Sequence, residues 1–361
     1  MKLFEPWTMG RITLANRVAM APMTRNRADE DGVLPDYAVA YYGQRASAGL
    51  IITEGTQPSE GGRGYRGTPG LHTDAQQDAW RQVGDAVHAG GGAIFCQLMH
   101  TGRIGHSSLL PAPWDLVAPS AIAADLEVAD ASGAMVPAET PRELTIPEIE
   151  GIIEAYASAA QRAVDAGLDG VELHAANGYL PHQFLSPLTN QRDDAYGGDP
   201  ERRARFVVEV LRALAGQIGA DRVGVRISPG GQFNDMRGAD DEATYLALVD
   251  AVDDLGLAYL HTLRRRSTPL HRELRSRWST TFMLNTGYMG SSERDDLEAI
   301  LQADEADLVS VGRWFISNPD LIERWKSDAP LADWDEDTFF TPGPRGLADY
   351  PFLHAGSAAG A

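Results

Sequence analysis

Eight short apolar runs punctuate the chain, at 17–22 (RVAMAP), 49–54 (GLIITE), 93–99 (AIFCQLM), 170–174 (GVELH), 223–228 (VGVRIS), 258–262 (AYLHT), 281–285 (TFMLN) and 308–312 (LVSVG). None shows the strict polar–apolar alternation of a half-exposed strand. They read instead as strands covered on both faces. Between them lie longer stretches whose apolar positions recur with helical spacing, at 74–89, 146–166, 200–218, 241–255 and 292–302. Their ends carry punctuation. Thr145 and Glu148 have the spacing of a capping box, with Pro147 one place beyond the favoured first helical position. Asp199 is an acidic N-cap followed by Pro200, and Gly167 and Gly256 stand where helices close.

Eight strand–helix units predict a (β/α)8 TIM barrel. An open doubly wound sheet is the alternative, but it asks for a glycine-rich turn after its first strand. Here that turn reads Ala21-Pro-Met-Thr-Arg25, without glycine. Two segments stand outside the repeat. Residues 1–15 are expected to form a hairpin closing the bottom of the barrel. Residues 101–145, rich in Pro, Ala and Ser, form a long excursion after strand three, on the C-terminal face where barrel active sites lie. The reading is one barrel domain over 1–353, with a disordered tail at 354–361.

Charge narrows the function. Against 31 Lys and Arg stand 51 Asp and Glu, a net charge of −20. Such a field repels phosphate backbones and anionic lipid, which argues against nucleic-acid and membrane partners. The single cysteine, Cys96, excludes an internal disulfide or a multi-cysteine metal site. With no signal-like apolar stretch at the N-terminus and no run near the ~18 residues of a membrane span, the expected location is cytoplasmic.

The strand ends should carry the chemistry. They hold Pro22, Met23 and Thr24; Gly55 and Thr56; Gln97 and His100; His174 and Asn177; Arg226; Thr286 and Gly287; Gly312 and Arg313. This ring is polar but poor in carboxylates, with Glu54 the main candidate partner for His100 and His174. Metal hydrolase barrels want several converging ligands, so no metal is expected. Gln97 and Arg226 can donate to the carbonyls and ring nitrogens of a flat heterocycle. Gly312 and Arg313 follow strand eight, where barrels commonly bind phosphate. A flat ring with a phosphate describes FMN.

The residues in this order resemble the old yellow enzyme family of FMN-dependent ene-reductases. The densest stretch is His174-Ala-Ala-Asn-Gly-Tyr179-Leu-Pro-His-Gln-Phe-Leu-Ser-Pro, followed by Asn190-Gln-Arg-Asp-Asp-Ala-Tyr-Gly-Gly. It is flanked by Ala21-Pro-Met-Thr24, Gln97-Leu-Met-His-Thr-Gly-Arg103, Val117-Ala-Pro-Ser120, Gly312-Arg-Trp-Phe-Ile-Ser-Asn-Pro-Asp-Leu321 and Asp349-Tyr-Pro-Phe-Leu353. The similarity runs from Leu3 to Leu353.

The resemblance implies that His174 and Asn177 hold the oxygen of an enone while Tyr179 protonates Cα as general acid. Read alone, Tyr179 is a buried tyrosine with a satisfied hydroxyl, and only the motif gives it chemistry. Thr24 would sit on flavin O4, in the branch of the family that has threonine rather than cysteine there. Gln97 and Arg226 would contact the pyrimidine edge, Arg226 favouring the anionic reduced flavin; as a bland alternative Arg226 is a structural ion pair, although few carboxylates lie near it in sequence. Pro22, Met23 and Gly55 would flank the ring. Thr286, Gly287, Gly312 and Arg313 would take the phosphate, and Tyr65 and Tyr350 would line the substrate pocket. NADPH or NADH would be the reductant and an electron-poor alkene the substrate, on a monomer or homodimer. The alternatives are a dedicated biosynthetic reduction, dehydrogenation or isomerisation in the same fold, a flavin-free binding barrel, or a metal hydrolase.

Two stretches depart from the family pattern. Thr286 stands where glycine is common, which puts the turn on Gly287 alone. After strand six the chain carries six arginines in fourteen residues, Arg264 to Arg277. This is either an anion-capture loop for the NADPH 2′-phosphate or an acidic substrate, or a solvated basic helix.

Overall fold

Residues 1–236, 242–263, 269–287 and 292–353 are described in a computed structural model. The eight apolar runs become eight parallel strands: β1 (Val18–Met20), β2 (Leu50–Ile52), β3 (Ile94–Leu98), β4 (Gly170–Ala175), β5 (Val223–Ile227), β6 (Tyr259–Leu263), β7 (Thr281–Asn285) and β8 (Leu308–Val311). Each pairs with the next in chain order and β8 pairs back with β1, closing the barrel. Every residue of every strand is buried, which is why the runs lack alternation: one face meets the barrel interior and the other the helices.

The bottom is plugged as expected. Trp7–Met9 and Ile12–Leu14 pair antiparallel, and Met9 and Leu14 pack among Ala19, Leu50, Ile52, Phe95, Tyr259, Met283 and Leu308. The outer helices follow their capping signals. In the helix Asp74–Ala89, Gln76, Ala79, Trp80, Val83 and Val87 form the buried stripe, and Thr73 and Gln76 make a capping box. At the start of the helix Ile146–Asp165, both the backbone N–H and the hydroxyl of Thr145 donate to Glu148, at 2.8 and 2.7 Å. At the helix Pro200–Ile218, Asp199 accepts from the Arg202 amide.

Some boundaries moved. The helix expected over 241–255 runs over Glu242–Val252, followed by a 3-10 turn at Asp253–Leu255 that Gly256 ends in the left-handed region. The stretch 292–302 becomes helical only at Arg294. The excursion 101–145 carries its own structure: a hairpin of Glu127–Ala129 with Met135–Pro137, and a parallel pair of Val117–Ala118 with Arg142–Glu143. The tail expected at 354–361 lies outside the described residues.

Three buried arginines bind the C-terminal segment to the barrel. Arg25 donates to the Gly346 carbonyl, Arg27 to those of Thr338, Phe339 and Arg345, and Arg45 to those of Phe315, Ile316 and Leu347. Guanidinium groups suit this task because each offers five donors to carbonyls that would otherwise be buried unpaired. Among the described residues no helix is long and apolar enough to cross a membrane.

Candidate active site

The turn after β4 assembles the first part of the site. Asn177 adopts φ +59°, a conformation asparagine tolerates better than most residues. Its amide donates to the Ser228 hydroxyl at the end of β5, and its carbonyl accepts from Asn234. The turn sets the Asn177 side-chain nitrogen 3.5 Å from His174 Nε2. Tyr179 is the N-cap residue of the short helix Leu180–Leu185. Its hydroxyl lies 3.1 Å from that of Tyr65, and its ring meets His174 edge-on with centroids 5.0 Å apart. Tyr65, His174, Asn177 and Tyr179 thus converge.

Their electrostatics follow from burial. Desolvation, helped by the nearby charge of Arg226, pulls the His174 pKa well below its ordinary value, so the imidazole is neutral. Burial and the neighbouring Tyr65 push the Tyr179 phenol well above its usual value, so it keeps its proton. His174 Nδ1 and Asn177 Oδ1 are buried without a protein partner. Such atoms are costly to leave unmet.

Below this group runs a polar chain through the barrel interior. The Gln97 amide donates to Glu172 Oε1 at 2.8 Å. His261 Nδ1 lies 2.8 Å from Glu172 Oε2, and its Nε2 lies 2.8 Å from the Ser310 hydroxyl. Asn285 donates to the same hydroxyl at 2.9 Å. Burial alone raises the Glu172 pKa, but His261, Arg226 and Gln97 together outweigh it and hold the carboxyl below its usual range. Burial lowers His261. The consistent assignment is an ionised Glu172 accepting from a neutral His261, which in turn accepts from Ser310. Arg226 Nε is buried with no partner.

Glu172, His261, Ser310 and Asn285 escaped the sequence reading, which looked at strand ends. The available signal was a polar residue inside each of the apolar runs GVELH, AYLHT, LVSVG and TFMLN. Glu172 also supplies the carboxylate that seemed missing near Arg226; it comes from the neighbouring strand. The expectation for Glu54 is corrected. Its oxygens accept from the Arg25 amide and the Tyr42 hydroxyl rather than from His100 or His174, and burial pushes its pKa up to about 7. Among the described residues no three His, Cys, Asp or Glu converge as metal ligands.

The rim is built from the other strand ends. Pro22, Met23 and Thr24 are half-buried after β1. Gly55 is buried after β2, where a Cβ would come within 2.6 Å of the Met99 sulfur. Past β7, Gly287 takes φ +107° and donates to Asn285 Oδ1. Thr286 is not in the left-handed region, and its hydroxyl is 2.6 Å from that of Ser292. The threonine therefore costs no backbone strain. Past β8, half-buried Gly312 leads into Arg313, whose guanidinium lies over the Trp334 ring at 5.9 Å with no carboxylate partner among the described residues. Tyr350 belongs to a different cluster: its hydroxyl accepts from the Asp335 amide.

The arginine stretch divides. Arg264, Arg265 and Arg266 lie outside the described residues. On the helix Pro269–Arg277, Arg275 pairs with Asp307 through two 2.7 Å contacts, and Arg277 pairs with Asp250 and Glu273. Those two cations are neutralised on the outside of the barrel, which leaves them unsuited to anion capture.

The donor set fits a flavin mononucleotide. Gln97 and the unpartnered Arg226 Nε offer donors for a ring edge, and Gly287 and Arg313 offer a turn and a free cation for a phosphate. Comparison with known proteins agrees. The profile of the NADH:flavin oxidoreductase / NADH oxidase family matches residues 2–332. The chain is 42% identical to 12-oxophytodienoate reductase 7 of Oryza sativa subsp. japonica, over 97% of this chain and 94% of that one. It is 42% identical to chanoclavine-I aldehyde reductase fgaOx3 of Penicillium roqueforti, over 97% and 96%. Among solved structures, morphinone reductase in complex with tetrahydroNAD superposes with a TM-score of 0.93 at 43% identity, covering 99% of each chain. The old yellow enzyme homologue from Zymomonas mobilis superposes with a TM-score of 0.92 at 38% identity, over 98% and 100%. The chain therefore belongs to the NADH:flavin oxidoreductase family, the old yellow enzymes, and is an NAD(P)H-dependent flavin oxidoreductase.

Proposed function

We propose that this protein reduces activated C=C bonds of α,β-unsaturated carbonyl compounds, using FMN bound non-covalently at the C-terminal face of the barrel. The observation that carries the reading is the convergence of His174, Asn177 and Tyr179 beside Gln97 and Arg226. When bound, the flavin supplies the hydride equivalents that NAD(P)H provides. The protein does the rest. His174 and Asn177 hold the carbonyl oxygen and stabilise the negative charge that develops on it. Tyr179, protonated because it is buried, delivers a proton to Cα. Gln97 and Arg226 hold the pyrimidine edge, and Pro22, Met23, Thr24 and Gly55 border the ring. Thr286, Gly287, Gly312 and Arg313 take the phosphate. Tyr65, paired with Tyr179, shapes the substrate pocket.

The test is the visible spectrum of the purified protein with and without added FMN. Flavin bands that bleach with NADPH under argon and return with cyclohexenone support the reading. Absence of bands in excess FMN sinks it. A dedicated, elaborate substrate is the second reading, favoured by the similarity to an aldehyde reductase. Bands that bleach but do not return with cyclohexenone would select it.

A further inference from the structure

The polar chain under the site touches no substrate position, yet it is complete from end to end. Five side chains from β3, β4, β6, β7 and β8 are linked by four contacts of 2.8–2.9 Å, with Glu172 receiving two of them. Glu172 and His261 are wholly buried. A full network of this kind is a large commitment, because any member left unpaired would carry a desolvation cost. It also fixes geometry. One N–H of Gln97 is held by the carboxylate, so the amide cannot flip, and its oxygen and second N–H have set directions. Charge is fixed too. Arg226, on the neighbouring strand, is a guanidinium whose field acts on Glu172.

We propose that Glu172 is a positioning residue: held by His261 and Ser310, it orients the Gln97 amide and offsets the charge of Arg226, and so sets the relative affinity of the site for reduced and oxidised flavin. The inference rests on the flavin reading above. Reduction adds negative charge to a flavin. Arg226 favours that change and a buried anion beside it opposes it, in a low-dielectric interior where both effects are large.

Removing the charge while keeping the shape should therefore favour the reduced form. For Glu172→Gln we expect the midpoint potential of bound FMN to rise by at least the equivalent of a tenfold affinity ratio, about 30 mV for a two-electron couple. Affinity for oxidised FMN, read by fluorescence quenching on the apoprotein, should change less than threefold. A second pair of variants carries the test if Glu172→Gln does not fold. His261→Leu removes the donor to Glu172, so the carboxyl should take up a proton and the potential should rise in the same direction. His261→Gln can still donate to Glu172 and should stay near wild type. A merely structural role would lower the melting temperature and weaken both redox states alike. Unchanged potentials in Glu172→Gln, or equal potentials in the two His261 variants, would overturn the proposal. A wild-type protein that binds no FMN would instead overturn the functional reading on which it rests.

Discussion

Replacing Tyr179 by phenylalanine separates the two halves of the proposed reaction. The substitution removes one hydroxyl and keeps the ring, so the edge-on contact with His174 survives. The lost contacts are the 3.1 Å hydroxyl pair with Tyr65 and the hydrogen bond with the Asn234 side chain. Tyr65 is half-buried and can turn to water, so the stability cost should be about 1 kcal/mol or less. In a chain of 361 residues that lowers Tm by no more than about 1–2 °C. The kinetic effect should be far larger. Loss of a positioned general acid costs about 10²–10⁴ in rate, or roughly 3–5 kcal/mol of barrier. It should fall on one half-reaction only. In anaerobic stopped-flow, flavin reduction by NADPH should stay within threefold of wild type, while reoxidation by cyclohexenone should slow at least a hundredfold. The pH dependence has a definite sign. The phenol pKa is raised, so the acid is protonated at every pH below its ordinary value near 10, and Tyr179 should contribute no falling limb between pH 6 and 9. Reoxidation within threefold of wild type, or equal loss in both half-reactions, would refute the assignment of Tyr179 as the acid.

Three further outcomes are expected. His174→Ala and Asn177→Ala should each lower the rate of alkene reduction by about 10²–10³, and the double variant should lose less than the product, because both donors serve one oxygen. Gly287→Ala should force a side chain into φ +107° at a cost of about 1–3 kcal/mol, weakening FMN binding in titrations of the apoprotein while the barrel still folds. Glu148 is held at about 2 by Arg142 and by the two Thr145 donors, below its usual 4.5. Its stabilising effect is therefore present above about pH 4.5 and lost as pH falls toward 2. Because the pair is solvent-exposed, the effect should be under about 1 kcal/mol, seen as a small Tm drop in Glu148→Gln at pH 7 that vanishes near pH 2.

What could be read in advance was local. Strands buried on both faces must be apolar throughout, so eight such runs, spaced by helical periods, were sufficient to count the barrel. Thr145 with Glu148 and Asp199 with Pro200 marked helix starts because capping acts within four residues. The His174–Tyr179 stretch was legible for the same reason: one turn carries three of the four converging side chains. The fourth, Tyr65, is 114 residues from Tyr179, and its placement rested on resemblance until the fold brought their hydroxyls together.

Everything that depends on which side chains meet across the barrel was settled by tertiary structure. Glu172 and His261 are 89 residues apart and meet only because β4 and β6 both face the interior, where a polar group must find a partner or destabilise the core. Glu54 looked like a partner for the histidines because it ends a strand. The packed structure gives it to Tyr42 and the Arg25 amide instead. Thr286 looked costly in sequence and is not, because the left-handed turn falls one residue later. Arg275 and Arg277 looked like part of an anion trap, but carboxylates from neighbouring segments had already claimed them. Hydrophobic period and caps are properties of a few consecutive residues, so the chain alone determines them. Charge pairing and buried hydrogen bonding are properties of neighbours in space, and only closure of the barrel selects those neighbours.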